Sequence, residues 1–237
     1  MQIVKRTLQY VLALMALGGA IFISGCSTNN VEKQSVFQMV QQAWSISRDS
    51  EMSQTQVEQS PYALLKVVIE NRPNAVMSLG YLEGDTQQWF SQDLASLKTQ
   101  NGRITALYGL EGYANQTALF ADSAFKRLAI ESVGVNQRLE LPLKLDLPSQ
   151  HRFDVPVYVV IQAMGLETRE RFNQKVNLLR VEEQVSIPSM DFTTVNIYWL
   201  DPKTRFIWES EQKWAPNLPK IYYQVLKPWM VIEEPTS

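Results

Sequence analysis

Leu139-Glu140-Leu141-Pro142-Leu143-Lys144-Leu145-Asp146-Leu147 alternates apolar and polar residues without a break. Side chains on a strand point to opposite faces with a period of two. The five leucines therefore share one face, and Glu140, Pro142, Lys144 and Asp146 share the other. Pro142 has no N–H to give to a ladder, which predicts an edge position or a bulge for this strand.

The same reading extends outward. Val155 to Ala163 is almost continuously apolar, the pattern of a strand covered on both faces. Val176 to Ile187 alternates through Leu179, Val181, Val185 and Ile187. Asn101-Gly102 predicts a two-residue hairpin, because both central residues of a type I′ turn need positive φ. That loop pairs Gln100 with Arg103, Thr99 with Ile104, Leu97 with Ala106 and Ala95 with Tyr108. A second hairpin is expected at Asp201-Pro202-Lys203-Thr204; a four-residue loop there sets Trp199 opposite Phe206 and Ile197 opposite Trp208.

Upstream, Val36, Phe37, Val40, Ala43 and Trp44 recur at helical spacing and predict an amphipathic helix, packed on the domain or lying on a membrane or partner, with few flanking basic residues to favour a membrane surface. Asn115 to Arg127 suggests a further short helix. No internal repeat is apparent. The expected fold is mainly β, an antiparallel meander sheet or half-barrel led by an N-terminal amphipathic helix.

Composition narrows the function. The formal net charge is −2, whereas a nucleic-acid binder needs a basic face. One cysteine and one histidine leave no internal disulfide and no zinc-ligand spacing. His151 has no nucleophile-elbow Gly-x-Ser-x-Gly to serve, so it reads as a loop or strand-edge residue. Glu83/Asp85, Glu182/Glu183, Glu209/Glu211 and Glu233/Glu234 are the carboxylate pairs a glycosidase could use. Glu182 and Glu183 point to opposite faces of one strand. Glu209 and Glu211 share a face, expected to be the solvated one, opposite Asn196 and Thr194. No phosphate-cradling glycine motif is present. The expectation is a non-enzyme with no catalytic residues, no metal and no cofactor.

The N-terminus carries targeting chemistry. Lys5 and Arg6 precede an apolar stretch from Val11 to Ile23, shorter than the ~20 residues of a spanning helix. Ile23-Ser24-Gly25-Cys26 resembles a bacterial lipobox. That resemblance implies removal of residues 1–25 as a signal peptide and diacylglycerol transfer to the Cys26 thiol, with acylation of the new amino group. Residues 26–34 then form a tether and 35–237 a single β-rich periplasmic domain, held to the membrane by the lipid on Cys26. Ser27 after the cysteine favours the outer membrane, by similarity to the enterobacterial sorting rule.

Six tryptophans remain for the domain. Trp199 and Trp208 are expected in the apolar face of the second hairpin. Trp89, Trp214 and Trp229 are the candidates for a ligand or partner surface.

Pro61-Tyr62, Leu79-Gly80-Tyr81, Trp89-Phe90-Ser91-Gln92-Asp93 and Asn101-Gly102-Arg103 together resemble the YjbF, or group 4 capsule polysaccharide lipoprotein, family. Tyr198-Trp199-Leu200-Asp201-Pro202-Lys203-Thr204 resembles its second hairpin, with Arg205 where a turn glycine is expected. The resemblance spans about residues 35–230 and includes the lipobox; Glu111 to Asn136 falls outside it. It implies a non-enzymatic outer-membrane lipoprotein that assists synthesis or export of a capsular polysaccharide or exopolysaccharide. Its implied partners are an outer-membrane β-barrel export protein, a periplasmic protein and the polysaccharide itself. The alternative is a carrier-like β half-barrel that binds acyl chains in an apolar pocket.

Overall fold

Among the described residues, thirteen strands hydrogen-bond into one sheet in which every pairing is antiparallel. The computed structural model describes residues 52–230 except 71, 93–94, 110–115, 118, 121–129, 131–132 and 135–136. The amphipathic helix expected from Val36 to Trp44 lies outside the described residues. The described chain opens instead on α1, Gln54–Gln59, started by a capping box between Ser53 and Gln56.

The strands are β1 (Leu64–Ile69), β2 (Ala75–Glu83), β3 (Thr86–Phe90), β4 (Ser96–Gln100), β5 (Arg103–Tyr108), β6 (Gln116–Thr117) and β7 (Leu119–Phe120). They continue with β8 (Arg138–Leu147), β9 (Arg152–Arg171), β10 (Gln174–Ile187), β11 (Phe192–Leu200), β12 (Ile207–Gln212) and β13 (Ile221–Lys227). Their order is β6-β5-β4-β3-β2-β1-β13-β12-β11-β10-β9-β8-β7, two meanders joined where β1 pairs with β13. The two ends of that order, β6 and β7, are separated in the chain by one residue. The short helix expected between 115 and 127 is therefore strand where it is described.

Alternation in β8 follows the sequence. Leu143, Leu145 and Leu147 are buried, Leu139 and Leu141 pack against the core, and the polar residues face outward. β7 covers β8 only at Leu145 and Asp146, so Pro142 sits on a stretch of free edge among the described residues. β9 departs from expectation: Val155, Val157, Val159 and Ile161 are buried, but Tyr158 between them is 55% exposed. One face of this strand is covered, not two. An apolar run alone does not distinguish a two-sided burial from a half-buried strand carrying extra apolar residues.

The first hairpin keeps its predicted turn, with Asn101 at φ 48 and Gly102 at φ 75. Gln100↔Arg103 and Thr99↔Ile104 pair as expected. Thr105 is then bulged, so Lys98 faces Ala106 and Leu97 faces Leu107 instead of Ala106. The second hairpin differs more. Leu200 pairs with Ile207 and Trp199 with Glu209, Trp208 being the bulged residue. The turn spans 201–206 and is closed by Arg205 N–H to Asp201 O and Asp201 N–H to Phe206 O, with Arg205 at φ 64. A left-handed residue sits where the glycine was expected.

Two turns repeat one another despite the absence of a sequence repeat. Pro148–Gln150 and Pro188–Met190 are single 3-10 turns, ended by His151 and Asp191 in the left-handed region. Each joins a strand to its antiparallel successor, β8 to β9 and β10 to β11. His151 is exposed, in the loop position expected of it.

Candidate functional site

Two polar assemblies lie on opposite faces of the sheet. The inner one crosses the core. Arg103 on β5 donates from Nε and Nη2 to Glu183 Oε1 on β10 at 2.9 and 2.8 Å. Tyr198 Oη and Asn196 Nδ2 donate to Glu183 Oε2 at 2.7 and 3.3 Å. Glu183 follows Val181 on the core face by strand parity, and all four residues are essentially buried. Glu182 and Glu183 do point to opposite faces, and the charge placed on the core row is matched by the cation of Arg103 from β5. Burial and the Glu183 charge push the Tyr198 phenol well above its ordinary range, so it stays a donor.

Gln212 extends this belt. Its Oε1 accepts from Ile104 N and Trp214 Nε1, and its Nε2 donates to Gly102 O and Ser210 Oγ. Tyr223 Oη donates to Gly102 O at 2.7 Å. The Asn101-Gly102-Arg103 hairpin is thereby tied to β12 and β13.

The motifs around it serve packing. A Cβ at Gly80 would lie 2.6 Å from the Phe90 ring, which crosses the glycine and meets Tyr81 edge-on. Trp89 is 1% exposed, donates to Thr99 Oγ1 and packs edge-on against Trp229. Trp214 is 3% exposed and bound to Gln212. Of the three tryptophans expected at a ligand or partner surface, Trp89 and Trp214 are thus enclosed by the core, and Trp229 is half-buried.

The outer assembly lies under a hairpin arm. β11 ends opposite Leu179, so Gln174–Leu178 of β10 and the facing end of β9 run on beyond it. Met164 is bulged and Gly165 has φ 112, and side chains of the arm reach Trp199 on β11, Glu209 on β12 and Val225 O on β13. Arg169 donates from Nε and Nη2 to Glu209 Oε2 at 3.0 and 2.8 Å. Tyr222 Oη and Gln224 Nε2 also donate to Glu209, at 2.8 and 3.1 Å. Arg171 Nη2 donates to Val225 O, and Phe172 packs with Met52, Val57, Leu64 and Leu226. The guanidiniums of Arg169 and Arg171 lie 4.2 and 3.7 Å above the Trp199 and Trp208 rings.

Glu209 is 1% exposed, not solvated as its sequence position suggested. The bulge at Trp208 sets it opposite Trp199, and the arm covers it. Glu211, opposite Ile197, pairs with Lys220 at 2.7 Å. Glu183 and Glu209 stand on opposite faces, so they do not flank a common glycosidic bond. Among the described residues, no three histidine, cysteine or acidic side chains cluster as a metal site.

Beside Glu209, Arg180 bonds Glu167 at 3.2 Å and Glu182 at 2.6 Å. Burial alone would raise Glu167, but the Trp199 indole N–H and the Arg180 and Arg169 guanidiniums outweigh it and hold the carboxyl below its ordinary value. Burial raises the Tyr222 phenol, and the Glu209 charge adds to it. Arg171 is lowered by burial, which Glu209 and Tyr222 offset only in part. Among the described residues, two buried guanidinium nitrogens of this assembly, Arg171 Nε and Arg180 Nε, close no hydrogen bond, and such a donor costs about 1–3 kcal/mol. No residue pattern marks the arm, because it is the Met164 bulge that redirects β9 across the sheet.

The chain has known relatives. It matches the family model described as group 4 capsule polysaccharide lipoprotein gfcB, YjbF, over residues 7–226. It is 21% identical over 209 residues to the uncharacterized lipoprotein GfcB of Escherichia coli (strain K12), covering 88% of this chain and 95% of that one. The crystal structure of the hypothetical lipoprotein YmcC from Escherichia coli (K12) has a similar fold, with a TM-score of 0.64 at 20% identity. That match covers 88% of this chain and 100% of YmcC. With a family model spanning nearly its whole length, the chain belongs to the YjbF family of group 4 capsule polysaccharide lipoproteins.

Proposed function

We propose that this chain is a non-enzymatic accessory of capsular polysaccharide or exopolysaccharide assembly and export. It is held at the outer membrane by lipid on Cys26, its domain facing the periplasm, and docks on a larger β-barrel export component and a periplasmic partner. The observation that carries this reading is the family match over residues 7–226, together with the lipobox at Ile23–Cys26. The buried carboxylates support a binding or assembly role. Glu183 and Glu209 are each enclosed by four hydrogen bonds, leaving neither oriented for acid–base chemistry.

The acyl-carrier alternative would need an apolar cavity; among the described residues, the crevice of about 20 Å³ lined by Ile104, Leu107, Trp214, Leu218 and Ile221 has room for a water, not a lipid tail. The test is genetic. Deleting the gene should lower surface polysaccharide, wild-type gene should restore it, and Cys26→Ala should not. Unchanged polysaccharide in the deletion strain under inducing conditions rejects the proposal.

A further inference from the structure

We propose that the β9–β10 arm is a strap that swings at Gly165 to uncover a binding platform for a neutral sugar unit, formed by Trp199, Trp208, Tyr222, Glu209 and Gln224. The inference rests on the reading of this chain as a polysaccharide-assembly protein and assigns the saccharide a place on it.

The arm has the form of a hinged element. Met164 is the extra residue of a bulge, and Gly165 has φ 112, a conformation other residues rarely adopt. A Cβ at Gly165 would touch nothing within 4 Å, so it is the backbone conformation and not crowding that calls for glycine there. Beyond Leu179, β10 pairs with β9 alone. The arm is held to the sheet largely by side chains: Arg169 on Glu209, Arg171 on Val225 O and Phe172 in a small apolar cluster. Closure also leaves Nε of Arg171 and of Arg180 unmatched, whereas water reaches them when the arm lifts. The two states are thus closer in free energy than the contacts alone suggest.

The surface beneath has the chemistry of a saccharide site. In the closed state guanidiniums occupy the faces of Trp199 and Trp208, where the apolar C–H face of a pyranose would stack. Hydroxyl groups both donate and accept, matching the Glu209 carboxylate, the Gln224 amide and the Trp199 N–H. Charge selects among sugars. Lifting the arm removes Arg169, Arg171 and Glu167 and leaves Arg180 with Glu182 and Glu209, a surplus of negative charge. A neutral unit is accepted and a run of carboxylates is repelled. Arg169 and Arg171 thus act as an internal competitor for the ligand.

Two measurements on the full, detergent-extracted protein test this. Amide hydrogen exchange on the wild type should show 167–178 exchanging about 100-fold faster than 157–161 and 181–187, the signature of a local opening. The surface polysaccharide purified from the producing bacterium is then titrated while tryptophan fluorescence is followed. Arg169→Ala/Arg171→Ala should lower Kd about ten-fold by releasing the competitor, and adding Trp208→Ala should cancel the gain. Exchange in the arm as slow as in its neighbours overturns the hinge, a result that needs no variant. Absence of binding to both proteins, or equal affinity with and without Trp208, overturns the platform. Loss of surface polysaccharide in the deletion strain alongside either negative result rejects this inference while leaving the proposed function standing.

Discussion

Arg103 and Glu183, 80 residues apart in the chain, meet inside the sheet at 2.8 Å with both side chains almost wholly buried. The pair joins β5 to β10 across the core. It also accounts for the Asn-Gly-Arg motif: the turn residues aim the guanidinium inward, and Gly102 O receives Gln212 and Tyr223 on the way.

Removing one partner leaves a buried charge unmatched. Arg103→Met or Glu183→Leu alone should cost about 3–5 kcal/mol in urea unfolding. The double replacement should recover most of that loss, since a well-packed apolar pair of similar volume is often neutral or better. Additive losses in the double variant would contradict this account.

Gly102 and Gly84 both have positive φ, yet their surroundings differ. A Cβ at Gly102 would lie 2.2 Å from Ile207 Cδ1, whereas one at Gly84 meets nothing within 4 Å. Gly84→Ala should cost about 1–2 kcal/mol, the backbone contribution alone. Gly102→Ala should cost more by the steric overlap, and Ile207→Val should return part of the difference. Denaturation midpoints of the three variants measure it.

Arg205 holds φ 64 and also donates from Nη2 to Val133 O. Both Arg205→Gly and Arg205→Ala lose that bond, so their comparison isolates the backbone. The glycine variant should be the more stable by about 1–2 kcal/mol, and equal melting temperatures would show that the turn tolerates alanine.

Glu167 supplies a pH dependence. Its folded carboxyl lies below the ordinary value of 4.5, so its stabilisation is complete above that value and fades as the pH falls toward the folded pKa. Glu167→Gln should therefore be less stable than wild type at neutral pH, with the gap closing on acidification below about pH 4.5. A gap of constant size across that range would show that the carboxylate's ionisation is not what matters.

The legible parts of this fold are those fixed by period. Leu139–Leu147 declared its buried face, and Asn101-Gly102 its turn. The first hairpin's register is shifted by one bulged residue, Thr105, and the second's by a turn two residues longer than expected followed by the bulge at Trp208, none of which leaves a mark in composition. The two buried carboxylates were illegible for different reasons. Parity put Glu183 on the row of Val181 and Val185, but its matching cation, Arg103, lies 80 residues away and could not be read from the strand itself. Glu209 needed both the Trp208 bulge and the arm. Trp89 and Trp214 show the same limit, since a tryptophan beside polar residues does not reveal that its N–H is satisfied inside.

The seam between β1 and β13 sets an order of events in folding. Each meander can assemble from neighbours as they emerge, but Leu65 waits for Val225 before the halves become one sheet. Closing so long a loop is entropically slow, and until then each half carries a bare strand edge. A chain truncated before Ile221 should therefore yield two ribbons that associate with other molecules in place of each other.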